Sequence, residues 1–133
     1  MESLLPLLLL ISITSVIGLT LRAKKGVIKK GSRLKISEIE FGGKYGSRLT
    51  ILQFSTTFCS ECRAAKSIVK DVVKDSKDIT YVEVDAESNL DLVRRVDIRS
   101  TPTTIFLDSK GFEVARAKGA PKRDQLIKAI KAI

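Results

Sequence analysis

The run from Ser3 to Leu21 (SLLPLLLLISITSVIGLTL) carries no charged side chain, and it constrains the chain more than any other feature. Nineteen residues wound as a helix, at about 1.5 Å each, reach close to the ~30 Å hydrocarbon thickness of a bilayer. Pro6 falls in the first turn, where a missing N–H costs little. A cleaved leader is the competing assignment. Such leaders open with basic residues, have a shorter apolar stretch and end in small residues at the cut. Here Glu2 is the only charge ahead of the run, and Gly18 offers a weak cut site. The run therefore reads as a retained transmembrane anchor occupying residues 1–21.

The net charge of +9 is unevenly placed. Arg22, Lys24, Lys25, Lys29, Lys30, Arg33 and Lys35 follow the anchor with no acid among them, whereas residues 36–133 carry 17 basic and 14 acidic side chains, or +3. The basicity is a local cluster beside an apolar segment, so no nucleic-acid partner is expected. An excess of Lys and Arg marks the cytoplasmic flank of a span. The expectation is a single-pass membrane protein with its N-terminus outside and its domain on the cytoplasmic face. Residues 3–21 and a basic juxtamembrane linker, residues 22–31, are the expected lipid contacts, the linker meeting anionic headgroups.

With no His and two Cys, a four-ligand zinc site of Cys and His is excluded, as are Ser-His and Cys-His catalytic arrangements. No metal and no cofactor is expected. Residues 32–133 are long enough for one core. Leu34, Ile36 and Ile39 hint at a short strand and a turn, and Leu49–Phe54 suits a buried strand. Residues 60 to about 76 place Ala65, Ile68, Val69, Val72 and Val73 on one helical face. A strand over 79–84, a helix carrying Leu90, Leu92, Val93 and Val96, and a strand over 103–107 follow. Asp108–Gly111 then turns the chain back antiparallel over 112–117, and a last helix turns Leu126, Ile127, Ile130 and Ile133 inward. That order predicts an α/β domain, a mixed sheet with helices on both faces.

Cys59 and Cys62 sit at a strand-to-helix junction, three residues apart, within disulfide reach across adjacent turns. At the helix start, free N–H groups and the positive dipole end favour a Cys59 thiolate. Cys62 lies one turn in and should be more buried. Cys59 is thus the expected attacking thiol and Cys62 the resolving one. A metal half-site is the other use of such a pair, but no further Cys or His exists to complete it.

Phe58-Cys59-Ser60-Glu61-Cys62, Thr101-Pro102 ahead of the TTIFL strand, and Gly119 before the last helix together resemble the thioredoxin family over residues 32–133. The resemblance implies a thioredoxin-like fold, a cis Pro102 facing the cysteines, and a Thr101 backbone on which a substrate segment pairs like an added strand. It also implies protein disulfide substrates and a thiol electron donor, which the residues leave unidentified. Action as a monomer is expected. The departures are specific. Phe58 stands where thioredoxins usually carry Trp, and Ser60-Glu61 replaces the usual Gly-Pro. Gln53 fills the slot of a buried Asp that helps deprotonate the resolving thiol, and Tyr81 that of its partner Lys. A Gln cannot take up a proton, and its ordinary role is a satisfied core amide. Glu61 opposes a Cys59 thiolate and Arg63 favours it. Three functions stay open: a tethered protein-disulfide reductase; a redox-sensing binding or assembly module without turnover; and, with reversed topology, an exported thiol oxidase or cytochrome-maturation factor.

Overall fold

A computed structural model describes residues 4–133. Ser3, where the apolar run starts, and Glu2 ahead of it lie outside the described residues. Helix α1 (Leu4–Ala23) buries none of its side chains. The hydroxyls of Ser12, Thr14 and Thr20 donate to the carbonyls of Leu8, Leu10 and Ile17, so these polar groups are satisfied within the helix itself.

The remainder is a five-stranded mixed sheet in the order β1-β5-β4-β2-β3. Its strands are β1 (Ile28–Lys30), β2 (Leu49–Ser55), β3 (Ile79–Asp85), β4 (Thr103–Asp108) and β5 (Glu113–Lys118). β2 and β3 run parallel, joined through helix α3 (Ser60–Val73), and the other neighbours are antiparallel. Every residue of β2 is buried, and the two-residue period of a strand sorts them between two cores. Leu49 and Ile51 pack with Val69 and Val73 of α3 and with Leu126 and Ile130 of α5 (Arg123–Ala132). Leu52 and Phe54 point the other way, onto Phe41 of α2 (Glu38–Phe41), Leu92 of α4 (Leu90–Arg95) and Val96. Gln53 falls on the α3 side by the same alternation.

Two stretches differ from the sequence pattern. Within the basic segment 22–31, Ile28–Lys30 join the sheet, in register Ile28↔Ala117, Lys29↔Arg116 and Lys30↔Ala115. Three residues that include two exposed lysines carry no readable alternation, which is why the segment looks like a plain linker. Gly26 makes the entry possible. Its φ is +75°, its N–H donates to the Lys118 carbonyl at 2.5 Å, and a Cβ there would collide with the Ala120 carbonyl oxygen.

The short strand of Leu34, Ile36 and Ile39 reduces to a single bridge, Lys35 to Phe112. Ile36 is buried, but Ile39 is 94% exposed on α2. The Glu40 carboxylate accepts from both the N–H and the hydroxyl of Ser37, so helix-start chemistry prevails there over the apolar pattern. At the other end Ile133, expected to turn inward, follows the end of α5 and is exposed.

Candidate active site

β2 ends at Ser55 and α3 begins at Ser60. The turn between them leaves Cys59 as the N-cap of α3, in extended conformation at φ −134° and ψ 101°. Cys59 and Cys62 are joined as a disulfide with their Cα atoms 5.2 Å apart, inside the range a bridge requires. The Cys62 N–H donates to Cys59 Sγ at 3.1 Å. On reduction that N–H and the helix N-terminus stabilise a negative charge on the same sulfur. Cys59 is half-buried and Cys62 only 4% exposed, so one sulfur meets solvent and the other lies behind it.

The Thr101–Pro102 peptide is cis and lies at the start of β4, beside the pair. Thr101 Oγ1 stands 3.9 Å from Cys59 Sγ and 3.4 Å from Thr56 Oγ1. Pro102 is buried, and its carbonyl accepts from the Gly119 N–H at 2.8 Å. That bond ties the proline loop to the end of β5. Phe58 is 98% exposed. Ser60, Glu61 and Arg63 are also exposed on the first turn of α3, and Glu61 pairs with Lys25 at 3.6 Å. The structure therefore gathers Phe58, Cys59, Ser60, Glu61, Cys62, Arg63, Thr101 and Pro102 at one end of the sheet.

Gln53 is fully buried under the first turn of α3. Its Nε2 donates to the Cys62 carbonyl at 2.8 Å and to Ser55 Oγ at 3.0 Å, and its Oε1 accepts from the Tyr81 hydroxyl at 2.9 Å. Burial, aided by the nearby Glu83 carboxylate, pushes the Tyr81 phenol well above its ordinary value. Tyr81 thus remains protonated and donating. The two residues that depart from the family's usual acid and lysine bond to each other and form a neutral support under Cys62.

A second charged pair escaped the sequence reading. Lys66 and Glu83, 3.2 Å apart, line a cavity of about 170 Å³ that also reaches Cys59, Cys62 and Arg63. The signal was present in the spacing. Lys66 is four residues beyond Cys62 on one helix face, and Glu83 is two beyond Tyr81 on one strand face.

The Thioredoxin family model matches residues 36–132. The chain belongs to the thioredoxin family. A thioredoxin of Ophiophagus hannah is 28% identical over 86 residues, 65% of this chain and 80% of its own length. Thioredoxin H2-1 of Oryza sativa is 26% identical over 110 residues, covering 83% of this chain and 78% of that one. Among solved structures, thioredoxin-2 of the malaria parasite superposes with a TM-score of 0.59 at 28% identity, over 65% of this chain and 84% of its own. As a thioredoxin, this protein is a thiol–disulfide oxidoreductase, and thioredoxins act on protein disulfides.

Proposed function

We propose that this thioredoxin is a membrane-tethered protein-disulfide reductase, anchored through residues 1–21, with its domain on the cytoplasmic face and acting as a monomer. The observation that carries the reading is the asymmetry of the pair: an accessible Cys59 at the helix mouth with a buried Cys62 one turn behind. In the reduced protein the Cys59 thiolate attacks one sulfur of a substrate disulfide. A mixed disulfide forms and the other substrate sulfur leaves as a thiolate. Cys62, deprotonated in turn, attacks the Cys59 sulfur. The second substrate thiolate departs and the Cys59–Cys62 disulfide closes. Two electrons have passed from the dithiol to the substrate, and a thiol donor returns them. Phe58 supplies an apolar contact for the substrate, while Thr101 and Pro102 offer the backbone on which it docks. Ser60, Glu61 and Arg63 set the local charge, and Gln53 holds the first turn of α3.

The tether is supported by α1, with no buried side chain and a length that suits a bilayer, and the orientation by the basic run that follows it. Residues 22–31 join anchor to domain, with Ile28–Lys30 adding a strand to the sheet.

The protein should accelerate insulin reduction by dithiothreitol. Cys59→Ser should abolish this, and an unaltered rate would reject Cys59 as nucleophile. Cys62→Ser should accumulate mixed disulfides. The neutral Gln53 beneath Cys62 favours one second reading, a sensor that oxidises once and is slow to resolve; stoichiometric oxidation without turnover would select it. Labelling Lys29→Cys in an otherwise Cys-free variant with an impermeant reagent, in intact cells, would place the domain outside and support an exported oxidase instead.

A further inference from the structure

From the way α1 joins the domain, we infer that the active-site mouth is held against the membrane surface, and that the substrate is a disulfide at headgroup level in an integral membrane protein. This rests on the membrane-tethered reductase reading and deepens it.

Three observations converge. The connection is short and fastened: α1 ends at Ala23, and by Gly26 the chain is already bonded to the Lys118 carbonyl, with β1 paired to β5 immediately after. A swinging arm is therefore replaced by a fixed joint. The joint lies at the site itself. A cavity of about 240 Å³ is lined by Leu21, Lys24 and Lys25 at the end of the anchor and by Glu61, Ser100 and Thr101 at the mouth. Lys25 reaches Glu61, which stands between the two cysteines. Finally, β5 is followed directly by Gly119, whose N–H bonds to the Pro102 carbonyl, so the strand that fixes the anchor also fixes the proline loop. With Leu21 in the last turn of an apolar helix and Arg22, Lys24 and Lys25 following, this wall of the mouth sits where lipid headgroups begin. A partner confined to the same membrane then presents a disulfide at that level at high effective concentration, whereas one far above the surface cannot reach the mouth.

The test uses full-length protein in phosphatidylcholine–phosphatidylglycerol vesicles. Two single-span peptides carry the same looped disulfide, one directly after the span and the other ~30 Å out on a rigid twenty-residue helix. Dithiothreitol alone confirms their equal intrinsic reactivity. The near disulfide should be reduced about tenfold faster than the far one. A roughly 15-residue Gly-Ser insertion between Lys24 and Lys25 should bring the ratio towards one while insulin reduction is retained or rises, which also shows that the variant is folded. Because the chain contains no Trp, Ser100→Trp adds a single fluorophore that headgroup-level brominated lipids should quench, and the same insertion should relieve that quenching. Equal near and far rates, or a preference the insertion leaves intact, would overturn the inference while insulin turnover keeps the reductase reading standing. Absence of turnover on every substrate would overturn the reductase reading and this inference with it.

Discussion

Gln53→Met isolates the amide beneath α3. Met matches Gln in length and flexibility but offers only a weakly accepting thioether. The change removes the partner of Ser55 Oγ, the acceptor of the Tyr81 hydroxyl and one donor to the Cys62 carbonyl. A buried polar group left unpaired costs about 1–3 kcal/mol. Ser55 is buried and bears the full penalty. Tyr81 is half-buried, and the Cys62 carbonyl belongs to a helix, so both lose less. The expected destabilisation is about 2–3 kcal/mol, or roughly 10–15 °C in Tm for a domain of ~100 residues. Tyr81→Phe breaks only the Oε1 bond and should cost about 1 kcal/mol. Both single variants lose that same bond, so the double variant should be less destabilised than their sum by about 1 kcal/mol. Urea unfolding of the oxidised full-length protein in mild detergent, followed by circular dichroism, measures all four states. A Gln53→Met variant within about 0.5 kcal/mol of the parent, or additivity within about 0.3 kcal/mol, would refute the coupling between Gln53 and Tyr81.

Thr101→Val removes the hydroxyl beside Cys59 Sγ, a donor that would stabilise its thiolate, and should raise the Cys59 pKa; the pH profile of iodoacetamide alkylation reads the shift, and an unmoved profile would rule out the contact. Tyr45 and Tyr81 are both pushed up, first by burial and then by nearby carboxylates. The unfolded phenols ionise first, so this contribution to stability is complete below about pH 10 and is lost as pH climbs toward the folded values. Tyrosinate absorbance at pH 10 should therefore lag that of the urea-unfolded chain, and coincident titrations would contradict it. Gly26→Ala forces a Cβ into a left-handed backbone and against Ala120, at about 1–2 kcal/mol, so the Gly31 amide, which donates to the Val114 carbonyl of β5, should exchange about tenfold faster while the amides of β2 hold. Unchanged exchange at the Gly31 amide would show that β1 docks without Gly26.

The strand-to-helix junction at Cys59, the buried run of β2 and the Thr-Pro ahead of β4 were legible because each is a local signal: an apolar run, a breaker, a helical stripe. The Gln53–Tyr81 contact was half legible, as two departures from one family pattern, and only the folded chain shows them bonded together. β1 was not legible because its membership in the sheet is decided by β5, far along the sequence, and its lysines mask the one half-buried residue, Ile28. α2 was hidden because Ile39 points to solvent and Ser37-Glu38-Ile39-Glu40 starts the helix by capping rather than by an apolar face. The Lys66–Glu83 pair is made only where α3 crosses β3, so the spacing within each element places the two charges without joining them.

β1 has one more consequence, for any attempt to obtain the domain without its anchor. Its three residues cover the open side of β5, and Lys29 and Lys30 crown that flank with charge, a pattern that discourages two sheets from joining side by side. A fragment beginning at Ser32 would bare the Val114 and Lys118 carbonyls, which now accept from Gly31 and Gly26, and with them the side of β5 that faces β1, and so invite strand exchange or aggregation, whereas one beginning near Lys25 would keep its guard.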